Sequence, residues 1–349
     1  MRIGVRFQGI TERVGAALNL VPVPVGLSMM GMPVARSVQV AQRVGLLTAL
    51  ADGKAGAPEL AERLGLRLQG TRLLLDTLVA AGVVKLSSDD RFALAPRAVK
   101  WLRPESESYV GGFLADTAHY WEWWAGLEGL VRDGRSIELH DRAPDDPYWR
   151  SYITGQYQLA RLSSGAVAKA VALPGKATSL LDIAGAHGEF SMALCRRHDG
   201  LSATVVDLPG SARIGREIVA AAGMAGRVRH LEGDMFAAAY GGPHDGALAF
   251  NIVHHLSPDQ ARALFGRIAA ALRPGAPLCV LDLFDRPVGA QPDAGSYIGL
   301  FFHLTSGADT YSIGEVSEWL ASSGFGPAKA KKLPQLPGLA LLRAERRAG

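Results

Sequence analysis

Cysteine is scarce. Two occur in 349 residues, Cys195 and Cys279, far apart and each inside an apolar run, so the chain has neither a disulfide framework nor a cysteine metal site. That usage suits a reducing compartment, and the cytoplasm is the expected location. Charge of one sign is lacking too. The formal surplus of +4 divides evenly between residues 1–165 and 166–349, which leaves no basic face to track a phosphate polymer, and no nucleic-acid partner is expected. The nine histidines form no HxH or HxxxH pair with acids at ligand spacing, so metal-independent chemistry is expected. One long uncharged run, Val14 to Ala35, has the length of a membrane span. Pro22, Pro24 and Pro33 fall within it, and prolines so placed are expected to break the helix that lipid demands. No small-residue cleavage site follows a basic start. Residues 1–32 therefore read as an arm that packs on a partner chain, without a membrane role.

What is present divides into two further parts. Residues 33–165 begin with short helices and a hairpin: Ala57 to Leu64 is an amphipathic helix, Gly65 to Leu68 a turn and Gln69 to Ala81 a second helix. Val83 to Leu86 and Phe92 to Ala95 then read as strands around the polar turn SSDDR. Helix, turn, helix and wing spell a winged-helix module. A DNA-reading second helix needs several polar or basic side chains. This one presents Leu73, Leu74, Leu75, Leu78 and Val79 with Arg72 as its one cation, which suits a protein interface better than a DNA-binding regulator. From Tyr109 to about Val171 the chain looks helical and aromatic, with Trp121, Trp124, Trp149 and Tyr157 among its rings. Core packing accounts for most of them, while some line a pocket for a flat ligand.

From Thr178 to the C-terminus, within the third part (166–349), strand and helix alternate. Ser179 to Ile183, Ala203 to Val206, Val228 to Leu231, Gly246 to Phe250 and Leu278 to Leu283 read as strands, with helices such as Asp259 to Leu272 between them. The alternation implies an α/β fold with a largely parallel, doubly wound sheet, whose ligands sit at the carboxyl ends of the strands. Three strand ends in series carry acceptors. The first opens from Asp182 into Ala184-Gly185-Ala186-His187-Gly188, whose small residues let a ligand approach the backbone. The loop does not match the GxGxxG pattern of a pyrophosphate site and better suits an adenosine carrying an amino acid. The second ends at Asp207 in VVDLPG, where a carboxylate can accept from ribose hydroxyls. The third ends in Gly233-Asp234-Met235-Phe236, an acceptor for an adenine amino group with apolar side chains to cover the ring. Asp182 has an equal claim to ordering its own loop, and Asp207 and Asp234 have the blander reading of caps or turn formers.

The stretches LLDIAGAHG, VVDLP, RVRHLEGDMF and HDGALAFNIVHHLSPDQARALFGRIAAALRPG together resemble the class I fold that binds S-adenosylmethionine (SAM). More narrowly, they are similar to the small-molecule O-methyltransferases related to plant caffeic-acid and bacterial polyketide enzymes. The resemblance runs from about Val34 to the C-terminus and implies a Rossmann-like methyltransferase domain, an N-terminal winged-helix dimerisation domain, a homodimer and SAM as cofactor. It places Gly185 and Gly188 at the methionine part of SAM, Asp207 with Leu208 at the ribose, and Asp234, Met235 and Phe236 at the adenine, with Asn251 also against the cofactor. The family usually has glycine where this chain has Ala184 and Ala186.

The resemblance also aligns the family's general base with His254, after the fourth strand, and the first of its two orienting acids with Asp282, one carbon shorter than the usual glutamate. Thr310 falls where the second acid belongs, with Asp309 beside it as the candidate substitute. His255 reads as a surface or packing residue. Trp121, Trp124, Trp149, Tyr157 and His303 are the substrate-lining candidates, although a histidine in the apolar run GLFFHL is more often a core residue. Methyl transfer to a hydroxyl of a small aromatic or polyketide-like acceptor is the expected activity. N- or C-methylation, or a non-methylating use of SAM on the same fold, is the alternative that the missing second acid keeps open.

Overall fold

The computed structural model describes residues 9–285, 292, 294–307, 310–333, 336 and 338–348. The chain forms two compact units, Met1–Tyr120 and Trp121–Gly349.

In the first unit a short helix, Ile10–Ala17, precedes a 21-residue helix, Val23–Arg43. The uncharged run is interrupted between Ala17 and Val23, with Pro22 capping the second helix, as the sequence indicates, but Pro33 does not break that helix, contrary to expectation. Pro24 sits in the first turn, where the missing N–H has no intrahelical partner to lose, and Pro33 is carried inside the helix. The distal half is anchored well enough to sustain that interruption. Gln39, Ala41 and Gln42 are buried, and the Gln39 side chain donates to the Thr117 carbonyl at 3.0 Å. The proximal half leaves Val25, Leu27, Met29, Met30, Met32 and Val34 exposed. Among the described residues no helix is long and apolar enough to cross a membrane.

The helices Ala57–Leu64 and Leu68–Ala80 and an antiparallel hairpin, β1 (Val84–Leu86) and β2 (Phe92–Leu94), follow as the patterning indicates. Leu75 and Leu78 point into a core with Leu46, Leu47, Leu60 and Phe92, while Leu73 is 61% exposed. Arg72 is tied to Asp90 of the wing through two hydrogen bonds of 2.8 Å, so that cation is already engaged within the module.

The second unit is a seven-stranded sheet. Its strands are β3 (Ser179–Ile183), β4 (Ser202–Asp207), β5 (Val228–Glu232), β6 (Gly246–Phe250), β7 (Pro277–Leu283), β8 (Lys329–Lys332) and β9 (Leu339–Glu345), in the order β5-β4-β3-β6-β7-β9-β8. Strands β3 to β7 are parallel, and β9 runs antiparallel to both β7 and β8. Alternation along β3 sends Leu181 and Ile183 into one core and Leu180 into another on the opposite face. The strand order reverses direction between β3 and β6, which opens the crevice in which doubly wound sheets bind their ligands.

Candidate active site

The residues marked for the cofactor, together with His254 and Asp282, lie at or just after the carboxyl ends of β3 to β7. After β3 the chain turns through residues 184–188 into the helix Glu189–Arg197. Ala184 and Ala186 both take left-handed backbone angles, φ +54° and +43°, a conformation that costs a side-chain-bearing residue about 1–2 kcal/mol. Asp182 is 2% exposed beneath this loop and accepts a 2.6 Å hydrogen bond from Ser191. Burial pushes its carboxyl up to about 7. A Cβ on Gly185 would lie 2.5 Å from that carboxylate, so glycine is what lets the loop lie flat on it. His187 is buried, its Nδ1 accepts from the Glu189 N–H at 3.0 Å, and burial pushes its pKa down to about 3.

Asp207, at the end of β4, accepts from the Ala186 N–H through Oδ2 and from the Leu208 N–H through Oδ1, both at 2.7 Å. Burial raises its pKa to about 6 against those two bonds. Each oxygen keeps a second lone pair for a ligand hydroxyl. After β5, Asp234 is exposed and accepts from the Phe236 N–H at 2.7 Å. Met235 and Phe236 are half-buried against the sheet core beside it. Asn251 follows β6 with φ +52°, exposed at the same rim. The pieces fit an adenosyl amino acid: two carboxylates at adjacent strand ends, an apolar cover, and a flat backbone that a Cβ at residue 185 would disrupt.

Beside this cradle, a one-turn helix at Val253–His255 holds His254, 3% exposed. Its Nδ1 lies 2.6 Å from Oδ1 of Asp282, itself 1% exposed on β7. Asp282 also accepts from the backbone N–H of Val253 at 2.9 Å, of His254 at 3.4 Å and of Leu283 at 2.8 Å. A carboxyl that takes three backbone N–H groups acts here as an acceptor, so the imidazole donates from Nδ1 and its Nε2 is left as an acceptor. Phe302 lies parallel to the ring at a centroid distance of 3.6 Å. His255 is no detached surface residue, because its ring stands 4.2 Å from that of His254 and 5.3 Å from that of His140. Burial holds His255 well below its ordinary pKa and takes His140 down to about 4, so both are neutral neighbours of His254.

Residues 133–325 match the O-methyltransferase domain, and residues 29–104 match the O-methyltransferase dimerisation domain. The chain belongs to this O-methyltransferase family. It is therefore a SAM-dependent methyltransferase and a homodimer. Among relatives of this O-methyltransferase, the 3-hydroxy-5-methyl-1-naphthoate 3-O-methyltransferase of Streptomyces sahachiroi is 29% identical over 297 residues, 83% of this chain and 85% of the relative. The mitomycin biosynthesis 6-O-methyltransferase of Streptomyces lavendulae is 30% identical over 304 residues, with the same two coverages. The fold matches that of human N-acetylserotonin methyltransferase in complex with SAM at a TM-score of 0.82 and 16% identity, over 98% of this chain and 99% of that one.

The substrate-lining candidates of the O-methyltransferase scatter. Trp124 is half-buried beside Phe301, with ring centroids 5.9 Å apart, and Trp121 and His303 are half-buried. Tyr157 lies against the loop 184–188, 6.1 Å from His187. Trp149 is 2% exposed, donates its indole N–H to the Ala143 carbonyl at 2.9 Å and packs on the Gly210 backbone. Its surface is spent on packing rather than on a pocket wall. Thr310 donates to Asp285, and Asp309 lies outside the described residues. Sequence reasoning passed over Phe302, His140, Ser191 and His230. Only His230 carried a usable signal, since it shares a strand face with Val228.

Proposed function

We propose that this methyltransferase methylates a hydroxyl group on a small aromatic or polyketide-like acceptor, with His254 as general base and Asp282 as the acid that orients it. The observation that carries the reading is the buried 2.6 Å contact between these two side chains at the end of the sheet. When bound, SAM supplies an electrophilic methyl group on a sulfonium. Gly185, Gly188, Asp207, Leu208, Asp234, Met235, Phe236 and Asn251 are the residues that would hold it, and Asp182 acts from beneath the loop. The Nε2 of His254 draws off the acceptor's proton as its oxygen becomes the nucleophile, and Asp282 stabilises the resulting imidazolium. Such a base contributes roughly 10²–10⁴-fold, and alignment of the two reactants supplies much of the rest.

Trp121, Trp124, Tyr157 and His303 remain the candidate walls for the acceptor. The naphthoate and mitomycin relatives support a ring-bearing acceptor. Asp309 is the candidate second acid, and Asp309→Asn lowers turnover if it serves. The buried free thiols of Cys195 and Cys279 support a cytoplasmic location. Incubation with SAM and a panel of hydroxyarenes and aromatic polyketides, read by mass spectrometry, tests the proposal: a product heavier by one methyl on oxygen supports it, and methylation confined to nitrogen or carbon acceptors overturns it.

A further inference from the structure

The cofactor loop has a strained point at Ala186, which adopts φ +43° although it bears a side chain. Its two peptide groups are held from neighbouring strands. Asp207 on β4 takes the Ala186 N–H at 2.7 Å, and Nε2 of His230 on β5 lies 2.8 Å from the Ala186 carbonyl oxygen. A carbonyl only accepts, so His230 keeps its proton on Nε2. Its Nδ1 is buried and has no hydrogen-bond partner among the described residues, an arrangement that proteins seldom retain without return. Room for the contact comes from the helix Pro209–Ala221. A Cβ on Gly215 would stand 2.2 Å from the Ala186 oxygen and 2.3 Å from His230 Nε2.

We propose that His230 is a positioning residue for the cofactor, which clamps Ala186 in its left-handed conformation through Nε2 and so keeps loop 184–188 in its binding shape before SAM arrives. A glycine at residue 186 would adopt that conformation unaided, whereas an alanine needs to be held. The clamp supplies what the side chain at this position removes. This inference rests on the reading of that loop as the SAM site.

The test is calorimetric titration with SAM and with S-adenosylhomocysteine, which cannot be turned over, accompanied by thermal melting. The parent protein binds both, and a parent that binds neither overturns the cofactor reading itself. His230→Leu weakens binding of both by about tenfold, the equivalent of one lost hydrogen bond, and raises KM for SAM without raising KM for the acceptor. His230→Gln, whose amide can still donate, stays close to the parent. Ala186→Gly placed in the His230→Leu background recovers most of the lost affinity. Unchanged affinity in His230→Leu, or a loss that neither glutamine nor Ala186→Gly relieves, overturns the clamp. Should His230→Leu fail to fold, Gly215→Ala forces the same pair apart from the other side, and undiminished binding in that variant overturns it equally.

Discussion

Phe302 lies flat on the imidazole of His254, with ring centroids 3.6 Å apart and planes within 6° of parallel. The stack covers one face of the His254 ring and opposes its turning out of that plane. Replacing Phe302 with leucine removes a ring-to-ring contact worth about 0.5–1.5 kcal/mol. We expect turnover to fall roughly threefold to tenfold while SAM affinity stays at the parent value. A titration showing weaker SAM binding would place Phe302 at the cofactor instead.

The Asp282 carboxylate accepts from His254 Nδ1 and from three backbone N–H groups at once. Asp282→Asn preserves the shape but introduces an amide that can donate to Nδ1, which favours the tautomer with its proton on Nε2. Nε2 then cannot accept the acceptor's proton. Turnover should drop by about 10²–10⁴-fold, and a variant that retains more than about a tenth of parental turnover would show that Asp282 is not needed for the tautomer.

Burial raises the Asp182 carboxyl to about 7 from an ordinary 3.8. The folded protein keeps this proton up to about pH 7, whereas the unfolded chain releases it near pH 4. The group therefore supports folding most at low pH and withdraws that support as pH climbs between those values, by at most roughly 4 kcal/mol. Asp182→Asn can still accept from Ser191 and has no proton to lose. Its melting temperature should vary less than the parent's between pH 4 and 7, and a parallel pair of pH–stability curves would rule out the assignment.

Ala184 also sits in the left-handed region, at φ +54°, with its N–H bonded to the Val206 carbonyl at 2.8 Å. Ala184→Gly removes the steric cost of a Cβ there, partly offset by the greater freedom of glycine in the unfolded chain. The expected net gain is about 0.5–1 kcal/mol, readable in urea unfolding. A lower midpoint would mean that the Ala184 methyl makes contacts worth more than its strain.

The sheet was legible because β3, β4, β6 and β7 are short apolar runs, and acids at or just after the ends of β3, β4 and β5 located Asp182, Asp207 and Asp234 as well. Strands β8 and β9 were not. Lys329, Lys331 and Lys332 mark β8 as an exposed edge strand, and a lysine-rich tetrapeptide has no apolar alternation to read. The long helix through Pro33 was missed because proline was weighed as a local breaker, while the buried Gln39 and Gln42 that anchor the helix owe their burial to tertiary packing. His254 and Asp282 were found through family resemblance, since 27 residues of sequence separate them and no spacing rule joins them. Phe302 packs on His254 from an apolar helix and His140 on His255 from an irregular segment, neither of which announces a site.

Single-turnover measurement of methyl transfer in the parent and in His254→Gln, both saturated with SAM and a hydroxyarene acceptor, is the direct test of His254 as the base. If His254 is the base, the variant transfers methyl about 10²–10⁴-fold more slowly, with equal amounts of bound SAM in the two proteins. Equal transfer rates would contradict it.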